Sequence, residues 1–245
     1  MKLLILSFCL LTFHLSVAQV SNPEFDNIAK KFDAGKFESA LETAESLMDN
    51  DKHRKKPEPY LWASMCFLEL SKSDDEKVQD RYKNAVRDAL KYGGKAVSKD
   101  KNGNIVSENE QYYSDLKKAG VALANDYLAE ENVRKAQYTF KQILDFASDD
   151  DNVRFAKAIT DIKLNSMYEA EKEMKIAFPN LTSAYKDLGH KPDPVSSPLL
   201  KDATLYYIDH LVNNNYLDSA KTAVLSARLF FPLDENITKR YNELK

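Results

Sequence analysis

Cys66 sits inside the apolar segment YLWASMCFLEL and is one of two cysteines in the chain. A nucleophilic thiol needs a histidine beside it and a third group to orient that histidine. His53, His190 and His210 share no recognisable motif with it, so the spacing predicts a buried thiol. The other cysteine is residue 9, near the chain start, so no disulfide framework can form. Asp100-Lys101-Asn102-Gly103-Asn104 sets oxygen side chains on alternate residues, as a hard-cation loop does. That loop needs glycine sixth and a bidentate glutamate twelfth. Counted from Asp100, those places hold Ile105 and Gln111, so an Asn-Gly turn between helices is expected. Asp149-Asp150-Asp151 falls where one helical segment passes to the next and reads as a solvated turn. Lys52-His53-Arg54-Lys55-Lys56 is a basic run that reads as a solvated loop, with contact to phosphate or an acidic partner as the alternative. Asn180-Leu181-Thr182 and Asn236-Ile237-Thr238 match the glycan acceptor pattern, which matters only in a eukaryotic secretory pathway.

There are 6 glycines in 245 residues, and one adjacent pair, Gly93-Gly94, cannot assemble a phosphate-cradling loop. Zinc-helix and nucleophile-elbow motifs do not occur. The expectation is therefore no catalytic residue, no cofactor and no metal, with folding independent of chelator and reductant. Net charge −3 and pI about 5.9 argue against nucleic acid as a partner. Hydrophobic residues at 43% suffice for a sizeable core.

The first eighteen residues read as a secretory signal peptide. Lys2 is a short basic region, Leu3 to Val17 is apolar, and Ser16-Val17-Ala18 offers small residues for cleavage before Gln19. The run is too short to span a bilayer comfortably. Bulky Phe8 before Cys9 argues against a lipid anchor. Removing Lys2 leaves 34 basic and 38 acidic residues, a mature charge of −4. Export to the periplasm or medium is expected, with no membrane span after cleavage.

The rest must supply the scaffold, and its periodicity is helical. Tyr113, Leu116, Gly120, Leu123 and Tyr127 step by 3, 4, 3 and 4, and Ala136, Phe140, Ile143 and Ala147 by 4, 3 and 4. The two stripes predict antiparallel helices joined tightly between Ala129 and Asn132. Ala136, Phe140 and Ile143 are followed 34 residues later by Ala170, Met174 and Ala177. A 34-residue period of paired helices marks a solenoid, because one hairpin cannot bury its apolar faces alone.

On these residues the chain resembles the tetratricopeptide repeat (TPR) family. Gly35-Lys36-Phe37-Glu38-Ser39-Ala40-Leu41 is similar to that family's turn and second-helix start. Leu123, Ala124 and Tyr127, then Val133, Ala136, Phe140 and Ile143, match a middle unit. Tyr207, Ile208 and Leu211 lead through Asn215 and Leu217 to Ala220, Val224 and Ala227, with Pro232 where the family often stops a helix. The resemblance implies an all-α fold: a right-handed α-solenoid of stacked antiparallel helix pairs. It would form a single domain over 19–245, with units 22–52, 57–94, 110–149, 152–179 and 199–232. A capping helix at 235–245 closes it. The second unit carries an acidic insertion around Ser71 to Asp80. Linkers 95–109 and 188–198 read as irregular, and Pro179 reads as the stop of the fourth unit. Asn22-Pro23 reads as the first helix start.

The family binds peptides or helices in a concave groove lined by the first helix of each unit. Carried onto this sequence, the groove comprises Phe25 and Phe32; Leu61, Met65 and Leu68; Val121, Asn125 and Leu128; Phe155, Ile159 and Ile162; and Leu205, Asp209 and Val212. It is mostly apolar. Only Asn125 matches the basic and amide set of members that clamp a chaperone's terminal carboxylate, so no such clamp is expected. The resulting expectation is a non-catalytic protein-binding scaffold or adaptor of the bacterial envelope, with a protein or peptide partner. A structural, homo-oligomeric protein that buries a second copy in this apolar groove is the alternative. A hydrolase with a carboxylate pair across the groove is more remote.

Overall fold

The computed structural model describes residues 23–186 and 197–245. The signal peptide expected at 1–18, Asn22 and most of the 188–198 linker lie outside the described residues. Among the described residues, every regular element is a helix. A 3-10 turn at Pro23–Phe25 leads into α1 (Asp26–Asp33), so regular helix begins three residues after Pro23. Then come α2 (Phe37–Asp49), α3 (Glu58–Leu70), α4 (Glu76–Arg81), α5 (Ala85–Lys99), α6 (Ile105–Glu108), α7 (Glu110–Ala129) and α8 (Val133–Leu144). The chain finishes with α9 (Asp151–Lys163), α10 (Met167–Lys186), α11 (Ser197–Asn213), α12 (Leu217–Phe230) and α13 (Glu235–Leu244). None of these helices is long and apolar enough to cross a membrane.

Many helices pack on their sequence neighbours (α1 on α2, α2 on α3, α7 on α8, α8 on α9, α9 on α10, α11 on α12, and α12 on α13), while α3 packs most extensively on α5, and α11 packs on α9 as well as on α12. The helix pairs are built alike. α1/α2, α7/α8, α9/α10 and α11/α12 each turn through one left-handed residue: Gly35 (φ 70°), Glu131 (59°), Asn165 (57°) or Asn215 (61°). Its amide donates to the carbonyl three residues back, and the next amide donates to the carbonyl five back. For Gly35 the acceptors are Phe32 at 2.8 Å and, from Lys36, Lys31 at 2.9 Å. For Asn215 they are Val212 at 3.0 Å and, from Tyr216, Leu211 at 2.8 Å. This Schellman pattern satisfies carbonyls that a helix end would leave bare. Five residues past each left-handed residue stands an alanine with almost no exposure: Ala40, Ala136, Ala170 and Ala220. A small side chain there lets the two helices approach closely.

The second pair departs from this plan. Ser71 holds the corresponding place but is right-handed (φ −66°). The chain then detours through α4, which starts at the Asp75 carboxylate cap on the Lys77 amide, 2.8 Å. α5 differs from the expected stop at Gly93-Gly94: the pair lies buried inside the helix, which runs to Lys99. Both glycines serve close packing. A Cβ on Gly93 would stand 2.7 Å from Leu116 Cδ2 of α7, and one on Gly94 2.9 Å from Asp145 Cβ. The 95–109 linker contains the end of α5 and all of α6. Asp100 uses its carboxylate to take the Asn102 and Ile105 amides at 3.0 and 2.7 Å. Pro179, read as a stop, lies inside α10. It is exposed, on a part of the helix that faces water, where its missing amide is tolerated.

Candidate functional site

The groove residues fall into register when counted back from the left-handed residue of each pair. Phe25, Val121, Phe155 and Leu205 stand ten before it; Asn125, Ile159 and Asp209 six before; Phe32, Leu128, Ile162 and Val212 three before. Leu61, Met65 and Leu68 keep these offsets from Ser71. The helices place them equivalently, yet neighbours treat them differently.

Eight of the fourteen are interior: Phe25, Leu61, Met65, Leu68, Val121, Phe155, Ile159 and Ile162 are all buried. The reason is clearest in α3, whose residues from Pro59 to Leu68 are buried without a break. A helix apolar all round is enclosed all round. Phe25 lies under the Lys56 ammonium, 5.6 Å from the ring centroid, and meets His53 edge-on. Phe32 is half-buried against Phe37 and Trp62, centroids 5.1 and 5.5 Å away. Phe155, Ile159 and Ile162 share a cluster with Leu200 and Ala203 of α11.

At the far end, α13 packs on α12 and flanks the face. Leu205 and Val212 pack in one cluster with Tyr241 and Leu244. Asp209 takes the Arg240 guanidinium, Nε at 2.7 Å and Nη2 at 3.0 Å. Of the fourteen, Asn125 of α7 alone is exposed, with Leu128 half-buried one turn on. Nearby, α4 borders two clefts. One of about 260 Å³ lies between Tyr82, Arg87, Leu123 and Tyr127. The other, about 730 Å³, lies between the Gly35 turn and Val78.

An ionic seam in the fourth pair was missed by sequence reasoning. Asp161, fully buried, accepts from the Gln137 amide of α8 and from Lys157 Nζ at 2.9 Å. Lys157 also reaches Glu173 of α10 at 3.2 Å, and Glu173 takes Arg154 at 2.9 Å. Burial alone would push the Lys157 ammonium down. The hydrogen bond and charge of Asp161, with Glu173, overcome this and hold it above the usual lysine range. The signal was available: Arg154, Lys157 and Asp161 are charged where the third pair has Gly120, Leu123 and Tyr127. Asp161 and Glu173 share one ammonium, so the seam locks α8, α9 and α10 together.

The basic loop is likewise spoken for. Lys52 and Lys56 converge on Glu24, Lys52 at 2.6 Å, and their hydrogen bonds hold its carboxyl down to about 2. Asp150, in the acidic run, caps α9 through the Val153 amide at 3.0 Å and pairs with Lys117 at 2.9 Å. Cys66 is fully buried, and burial pushes its thiol up to about 12. Among the described residues no group of three or more metal-ligating side chains converges. Compared with known families and curated proteins, the chain matches no family model and no curated sequence.

Proposed function

We propose that the chain is an exported, non-catalytic scaffold of the bacterial envelope, folded as a right-handed TPR-like superhelix that binds a partner's peptide or helix. The carrying observation is the fourfold recurrence of one turn, left-handed residue and then buried alanine five residues on, at Gly35, Glu131, Asn165 and Asn215. Paired helices repeated in one register give an array whose first helices can offer successive positions along a single face. The binding segment is α7: Asn125 supplies an amide for a partner's backbone, and Leu128 an apolar contact. The buried groove positions form its support.

A photo-crosslinking residue at Asn125 tests this in envelope extracts. One discrete adduct, abolished by Ala122→Arg beside it, is expected. Adducts spread over many proteins, or none, would refute the binding role. N-terminal sequencing of the exported protein should begin at Gln19.

A further inference from the structure

The repeat register also exposes an outer face that folding does not explain. Ten and fourteen residues past each left-handed residue, the second helix of these four pairs points to solvent. In the first pair these places hold Glu45 and Asp49, in the third Lys141 and Asp145, in the fourth Lys175 and Pro179. In the last they hold Leu225 and Leu229, 53% and 46% exposed. Leu217 and Leu233 extend the row at 49% and 93%, and on the adjoining α10 lie Tyr168 and Ile176, 78% and 44% exposed. Helix packing does not require leucine at positions where five of the six equivalents in the other pairs are charged. A concentration of exposed apolar side chains on two adjacent helices marks an interaction surface.

We infer that this face, formed by α10 and α12, is where a second copy of the chain docks about a twofold axis running between the two helices. Charge selects that occupant. Glu171 of α10 and Lys221 of α12 both stand six residues past their left-handed residue, and both are exposed. The axis sets Glu171 of each copy opposite Lys221 of the other, twice over, as an isologous interface demands. Among the described residues the ion pair of Glu171 is with Lys175, at 3.8 Å, and Lys221 makes none. A nucleic acid or anionic membrane would want a uniformly basic rim, whereas Glu171 and Asp218 stand among these side chains. This surface is distinct from the α7 face, so the two proposals fail separately.

Light scattering on the mature chain tests it. A mass of two chains is expected at micromolar concentration, falling to one chain in Leu225→Glu and in the milder Leu225→Gln. Both replace a half-exposed side chain, and unchanged circular dichroism verifies the fold. Glu171→Lys and Lys221→Glu should each weaken association about tenfold, and the double exchange should restore it. Crosslinking at Asn125 should be unaffected. A single-chain mass up to about 100 µM, a dimer indifferent to Leu225→Glu, or a double exchange that fails to rescue would each overturn the inference.

Discussion

Arg240 forks onto Asp209, its Nε and Nη2 lying 2.7 and 3.0 Å from the two carboxylate oxygens. The contact fastens the last helix to the first helix of the last pair. Both partners keep about a third of their exposure or more, so the pair is screened by water. Arg240→Ala should therefore cost about 1 kcal/mol or less overall, because buried Ile237 still anchors α13. Its local effect should be larger: amide exchange across α13 should speed up while α7 and α8 stay protected. Equal acceleration everywhere would show that α13 is not a separable cap.

Glu24, in the turn before α1, ties that turn to the basic loop through Lys52 and Lys56. Its folded value of about 2 lies below the ordinary 4.5, so the clamp stabilises fully above that ordinary value. The stabilisation is lost as pH falls from 4.5 through about 2, and it contributes no dependence near neutrality. An NMR titration should place the Glu24 midpoint near the lower value, and Glu24→Gln should flatten the acid limb of the stability curve. A midpoint in the ordinary glutamate range would mean the lysines do not hold it.

Burial, more than the nearby Glu69 and Glu45 charges, raises the Cys66 thiol. The thiolate is the reactive form, so the folded protein should resist alkylation at pH 8 and react promptly in denaturant. Rapid labelling of the native chain would contradict the closed packing around α3.

The hairpins were legible because their signals are local. The interval from Ala136 to Ala170, and the Gly35 turn, follow from side-chain size and backbone freedom. Gly93-Gly94 misled because glycine signals both a helix end and a close approach, and only Leu116 and Asp145 decide which. The groove positions were in register, but their exposure was not readable. Whether Leu61 or Phe155 faces solvent depends on α5 or α11, distant in sequence. The Asp161 seam was hidden for a related reason: charges along a helix usually face water, and here α8 and α10 close over them.

Ala136 tests the register in its central pair. It is fully buried, with Phe140 and Ile143 equally enclosed beside it. Overpacking such a site costs about 1–3 kcal/mol. Ala136→Leu should lower the urea midpoint accordingly and split the melt, since a weakened middle uncouples the ends of a stacked array. Lys135→Ala removes only an ammonium 5.1 Å above the Tyr127 ring and should cost about 0.5–1 kcal/mol at most. Indistinguishable variants would place Ala136 away from any helix crossing.

The four turns predict opposite signs for two substitutions that exchange the same feature. Glu131 holds φ 59° with a full side chain, a conformation costing a non-glycine residue roughly 1–2 kcal/mol. Gly35 holds φ 70° without that penalty, and nothing lies within 4 Å of a Cβ placed there. Space therefore cannot decide either result; only backbone preference can. Glu131→Gly should raise stability, by about 1 kcal/mol or less once the entropy of an added glycine is deducted. Gly35→Ala should lower it by about 1 kcal/mol or more. Denaturant midpoints of the two variants should move in opposite directions at unchanged slope. A shift of both in the same direction would mean that these two turns do not share one left-handed backbone, and the common register of the first and third pairs would fall with it.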